Sequence, residues 1–321
     1  MRLTLPNLAV GGGVLLIAFV AAFALSDVWS EAARSVSGWA VARQRVLRDD
    51  MATAVRAVQS GAPWAWAALM AAAGTYGLVH AVGPGHGKFV IGGVGLGSSV
   101  SAPRLASIAL ASSLAQSAWA IALVYGGFTL LEASAARLAS LSEGYLAAAS
   151  SVAIACVGAL LAFRGVRAFW RRAAHRKVGH GAHGHRHDHG RDHGRDHSHE
   201  ACGCGGHGPS PKEVAAVSSL REAAALVAGI AVRPCTGALF LLVIAWRMDI
   251  AAAGAAAVIV MGLGTALTTS AVAISSVAAR GLALSASGTL GIASAAAPSL
   301  QLAAGLAIVW FAYALFQTGA F

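Results

Sequence analysis

Seven apolar runs recur along the chain, at residues 8–26, 63–98, 103–131, 145–168, 219–246, 251–279 and 297–318. A helix needs about 20 predominantly apolar residues to cross the hydrocarbon core of a bilayer, and each run approaches or exceeds that length. The composition agrees: 57% of residues are hydrophobic and only 11% charged, against about 25% charged in an ordinary soluble domain. Lipid offers the backbone no hydrogen-bond partners, so only helices and closed barrels span it. The alternating pattern of a barrel strand is absent. The expectation is an all-α membrane protein of about seven transmembrane helices.

Residues 1–26 read either as an N-terminal transmembrane helix or signal anchor, or as a cleaved leader. Arg2 precedes the apolar run, and Ala22-Phe23-Ala24 resembles a small-residue cleavage site. Residues 27–62 are expected on the extracytoplasmic face as an amphipathic helix lying on the interface. Val36, Trp39 and Leu47 would form its apolar side, and Arg34, Arg43, Arg45, Arg48 and Arg56 its basic side. The net charge of +10 invites a nucleic-acid reading, but its distribution argues otherwise. Eleven lysines and arginines fall between Arg164 and Arg221, and such residues collect on the cytoplasmic side of membrane proteins. That places this connection in the cytoplasm, with the lipid bilayer as partner and no nucleic acid; the location expected is a bacterial inner (plasma) membrane. A homo-oligomer is left open. None of the four cysteines belongs to an extracellular pair, which excludes a disulfide-stapled secreted fold.

The connection at 171–218 carries the chain's most unusual composition. Ten of its twelve histidines lie between residues 175 and 207, among glycine, aspartate and arginine, with Cys202 and Cys204. Almost nothing there is apolar, so the segment is expected to be disordered without ligand. Dense histidine with two thiols is a metal-binding composition. The capture residues are His180, His183, His185, His187, His189, His193, His197, His199, Cys202 and Cys204. Their spacing fixes no single geometry, and imidazole suits several transition metals alike. A metal-binding cytoplasmic loop on a polytopic chain points to transport of a divalent metal ion.

The loop separates two groups of three spans, 63–170 and 219–321. Each group opens on a Pro-x-x-Gly inside an apolar run: Pro84-Gly85-His86-Gly87 in the first, Pro234-Cys235-Thr236-Gly237 in the second. Proline removes an intrahelical hydrogen bond and glycine loosens the backbone, so each run is expected to be a broken helix. Three spans per group would make the groups enter the membrane from opposite sides, as two inverted repeats whose broken first helices meet near the midplane and hold the substrate. His80 and His86 flank the first break, and ionisable residues at membrane depth are functional candidates. Gln116 and Thr269 would add oxygen ligands. Cys235 reads equally as a thiolate ligand or as a small buried hydrophobe. Lys88 and Arg233 are unexpected in a cation path. Lys88 would bind the carbonyl end of a half-helix, or trade places with the metal and gate its release.

These residues resemble the NicO family of nickel/cobalt transporters. The resemblance rests on "HAVGPGHGK" followed by a Gly-rich apolar run, on the His-rich loop, and on "RPCTGA" opening the second half; it covers residues 63–318. It implies Ni2+ or Co2+ as transported substrate, no cofactor, His80 and His86 as metal-path histidines, and Pro234-Cys235 as the second-half signature. Efflux members of the family carry such loops between their halves, which implies export. Many relatives have a histidine in the helix after the first motif; this sequence offers Gln116 there.

Other classes fit less well. Uptake would use the same site with different coupling. A membrane thiol-disulfide carrier would need a cysteine at each break, but Gly85 and His86 stand opposite Cys235. No P-loop and no His-Glu-x-x-His occurs, so neither ATP-driven transport by this chain nor zinc proteolysis is indicated, and an enzyme is not expected.

Overall fold

The computed structural model describes residues 26–83, 85–130, 134–178, 220–289 and 293–317. Residues 8–25 of the expected first span, Pro84 and all ten capture residues of the His-rich segment lie outside them, as does the side chain of His86. All the described secondary structure is helical. In chain order it comprises α1 (Ser26–Gln59), α2 (Ala65–Val82), α3 (His86–Gly97), α4 (Ala102–Leu130), α5 (Ala135–Leu141), a π-helical turn (Ser142–Leu146), α6 (Ala147–Val178), α7 (Leu220–Ala231), α8 (Thr236–Arg247), α9 (Ala251–Thr289) and α10 (Ala293–Gln317). Among the described residues five helical stretches are long and apolar enough to cross a bilayer: Ala65–Val82, Ala102–Leu130, Ala135–Ala168, Ala251–Ser287 and Ala296–Tyr313. The bent pair Arg221–Ala231 and Thr236–Arg247 makes a sixth if counted as one span.

The sequence explains where the helices stop. α2 is built from alanine, leucine and methionine, the strongest helix formers, and is apolar all round. It ends one residue before Gly83, which adopts φ −60° and ψ 169°; a residue preceding proline is pushed from helical to extended backbone. α7 stops at Ala231, three residues short of Pro234. The chain restarts at Thr236 with α7 and α8 bent by 64°.

The helices contribute to two compact units, each drawing on sequence before and after the His-rich segment. The first takes residues up to Lys88, with 110–146 and 230–269. Within it α1 runs antiparallel to α2: Arg48 meets Tyr76 and Gln44 meets His80. Ala40, Leu47, Met51 and Val55 recur at helical spacing on α1 and are buried with Leu69, Ala73 and Tyr76 of α2, Leu241 and Leu242 of α8, and Val258 and Met261 of α9. Leu47 is thus buried in this core, whereas Val36 and Trp39 are exposed. α2 and α9 touch backbone to backbone. A Cβ on Gly77 would fall on the Met261 carbonyl, and one on Gly264 on the Gly74 carbonyl.

The second unit takes residues 89–109, 147–229 and 270 onward. Its α6 and α10 approach through small residues: a Cβ at Gly158 would lie 2.9 Å from the Gly305 carbonyl oxygen. Such seams suit lipid, where helix association relies on close packing rather than on the hydrophobic effect. Arg164 of α6 pairs with Glu222 of α7, and the rings of Phe89 and Phe311 stack with centroids 3.9 Å apart.

Candidate metal site at the two helix breaks

Breaking an apolar helix leaves carbonyls without partners, and each break here is tied by a side-chain donor. At the first, the Lys88 ammonium donates to the Val82 carbonyl at 3.0 Å and to the Gly83 carbonyl. A cation at the carbonyl end of α2 is also favoured by the helix dipole. At the second, Gln116 of α4 donates from Nε2 to the Arg233 carbonyl at 2.5 Å. α8 then begins with Cys235 as its cap, in extended backbone (φ −76°, ψ 143°), its sulfur accepting from the Ala238 N–H at 3.3 Å. Gly237 is required where it stands, because a Cβ there would overlap the ring of Tyr76.

One small cavity lies beside these features. His80, Ser113, Gln116, Ser117, Cys235, Ala238, Met261, Gly262 and Thr265 line it, with a volume of about 10 Å³, enough for one water-sized sphere. Imidazole, thiol, thioether, amide and hydroxyl groups therefore converge on a space that admits one small occupant. No carboxylate is among the lining residues. Among the described residues no three side chains drawn from His, Cys, Asp and Glu come together to hold a metal ion. Any ion held here must therefore take some of its ligands from Met261, Gln116, the hydroxyls or the backbone.

The imidazole of His80 is set by its neighbours. Its ring stacks on Tyr76 at 5.7 Å between centroids, 11° from parallel. Nδ1 lies 3.3 Å from Gln44 Oε1, so with Nδ1 donating to that oxygen, Nε2 keeps the lone pair. A second-sphere acceptor that fixes the tautomer in this way is the usual companion of a ligating histidine. One turn along α1 from Gln44, Arg48 donates to Thr236 Oγ1 at 3.1 Å and to the Tyr76 hydroxyl at 3.4 Å. Its Nε is buried with no hydrogen-bond partner, as is Ser112 Oγ.

Of the residues singled out in the sequence, His80, Gln116 and Cys235 line the cavity together. Thr269 does not: it sits one turn beyond Thr265, and its hydroxyl donates to the Thr265 carbonyl at 2.5 Å. His86 is the first residue of α3, Gly87 faces Ile230, and Pro234 is buried at the second break. Gln44, Arg48, Tyr76 and Met261 are contacts that motif reading misses. For Gln44 a signal was there: with Ala40, Leu47 and Met51 it follows the buried stripe of α1.

Comparison with known proteins bears on what such a site does. The profile of NicO, described as "High-affinity nickel-transport protein", matches residues 66–320. A protein of Haemophilus influenzae, named by inference as a nickel/cobalt efflux system, is 29% identical over 217 residues, which is 67% of each chain. No solved structure is significantly similar.

Proposed function

The chain belongs to the NicO family, and on that premise we propose that it is a secondary transporter exporting Ni2+ or Co2+ through the cavity between its two helix breaks. Metal-ion transport by a multi-pass membrane protein is the family's activity. The export direction, the bacterial inner membrane and the ligand roles are this reading's own. In it, two inverted three-helix repeats present their broken helices to one ion. His80 supplies Nε2, Cys235 its thiolate, and Gln116 an oxygen. His86 joins them from the start of α3. Gly85, Gly87 and Gly237 give the breaks their room, and Lys88 holds the first break closed until an ion competes for its carbonyls. The His-rich cytoplasmic loop gathers ions and raises their concentration at the entrance.

The observation that carries this reading is that one cavity takes donors from beside both helix breaks: His80 from the last turn of α2 and Cys235 from the start of α8. Packing alone gives no reason for the two breaks to place an imidazole and a thiol around one water-sized space. Export over uptake is favoured by the Haemophilus influenzae relative's name and by the cytoplasmic side assigned to the loop. The test is cellular accumulation of nickel, cobalt, zinc and copper, with wild-type protein and with His80→Ala or His86→Ala. Wild-type cells are expected to hold less nickel and cobalt than cells lacking the protein, and both variants to lose that difference. Higher accumulation with the wild type would instead establish uptake.

A further inference from the structure

Two sulfur atoms meet at the cavity. The thiol of Cys235 lies 3.7 Å from the thioether of Met261, and both residues line the space that His80 also lines. Met261 is 2% exposed, and its backbone is held where α9 touches α2 at Gly77. Methionine is often a flexible core filler, but here it is fixed against a thiol beside an imidazole. Two sulfurs 3.7 Å apart can already share one ion. With metal–sulfur bonds of about 2.3 Å, that separation corresponds to an S–metal–S angle of about 107°, close to tetrahedral.

The donor set is soft. Thiolate and thioether select copper(I) over harder divalent ions, for which carboxylate, carbonyl and water are the better ligands. Charge points the same way. Cys235 can contribute one negative charge as thiolate, and among the described residues no carboxylate lines the cavity. Two cations stand close by: Arg48, bonded to Thr236 next to the thiol, and Lys88 at the first break. A monovalent ion on one thiolate leaves the site neutral. A divalent ion leaves an excess positive charge in surroundings that already hold two, and charge in a low-dielectric interior is costly.

We propose that Met261 completes a soft imidazole–thiolate–thioether site with His80 and Cys235, and that this site accepts copper(I) as a further substrate beside the divalent ions. The proposal rests on the reading of the cavity as the transport site. Met261 then sets specificity: removing its sulfur costs copper(I) far more than nickel.

The test is flux into proteoliposomes holding the full chain, with copper kept as copper(I) by ascorbate under argon, nickel(II) measured in parallel, and luminal metal read by mass spectrometry. Wild-type protein is expected to carry both ions. Met261→Leu, which keeps the side-chain bulk, is expected to lower the ratio of copper(I) flux to nickel flux at least tenfold, no less than the loss of an outer-sphere partner costs a metal site. Wild-type vesicles no better than empty ones for copper(I), or a Met261→Leu variant that loses both ions equally or neither, would overturn the proposal while leaving the nickel reading standing. His80→Ala separates the two: unchanged flux of both ions would remove the cavity itself from the path. Should Met261→Leu not fold, copper X-ray absorption of the Cys202→Ser/Cys204→Ser protein at one equivalent decides. Two sulfur scatterers at about 2.3 Å support the site, and nitrogen scatterers alone refute it.

Discussion

Gly77 and Gly237 show how little space surrounds the candidate site, since a methyl group on either would overlap the Met261 carbonyl or the Tyr76 ring. Tyr76 is fully buried and holds His80 by stacking, so pressure at Gly237 passes directly to the imidazole. Gly237→Ala is expected to cost about 1–3 kcal/mol as overpacking does, read as a lowered unfolding midpoint in detergent. Gln44 acts differently, through orientation alone. Gln44→Leu is expected to leave that midpoint nearly unchanged and to weaken nickel binding about tenfold, the lower end for losing an outer-sphere partner; isothermal titration of the purified protein measures it. His80, Cys235 and Gln116 stand out in the sequence because polar groups are rare in apolar runs, and the three line one cavity. Met261 carries no such mark: a methionine in an apolar helix looks like any other core residue until a neighbouring helix brings a thiol to its sulfur. Thr269 is conspicuous beside Thr268 for the same reason as Gln116, yet the register of α9 gives the cavity to Thr265.

The elements follow from local chemistry wherever proline speaks. Both breaks fall at the Pro-x-x-Gly positions, and the run at 63–98 divides into α2 and α3 around residue 84. The fate of α1 was harder to see. Its five arginines suggest a helix on the interface; they do not show that its stripe of Ala40, Leu47, Met51 and Val55 packs against α2 and α8. Which neighbour covers a stripe is a tertiary fact that periodicity does not contain. Likewise α6 extends to Val178, ten residues past the apolar run, because its basic second half remains helical although polar. The donors that tie the breaks are part of each element's stability. Lys88→Met removes the ammonium from the Val82 and Gly83 carbonyls. It is expected to lower the unfolding midpoint modestly, because one of the two acceptors is exposed and the other part-buried, with Lys88→Arg recovering part of the loss. Thermal unfolding followed by tryptophan fluorescence distinguishes the two.

At the scale of the whole molecule, the described residues form two units that each draw on both sides of the His-rich segment. The division of labour proposed here puts passage in the helices and capture in the loop. Removing residues 179–219 and joining the ends with a flexible linker is therefore expected to weaken metal resistance several-fold at low external metal while leaving transport measurable at high metal. Growth curves across a nickel series test this, and complete loss at every concentration would mean that the loop does more than gather ions. Transport as proposed depends on the cavity. The measurement that reaches it most directly is nickel flux in proteoliposomes reconstituted with wild-type or His80→Ala protein of equal unfolding midpoint. The account predicts a fall of at least tenfold, the scale of losing one metal ligand or its support; wild-type flux in the variant would contradict it.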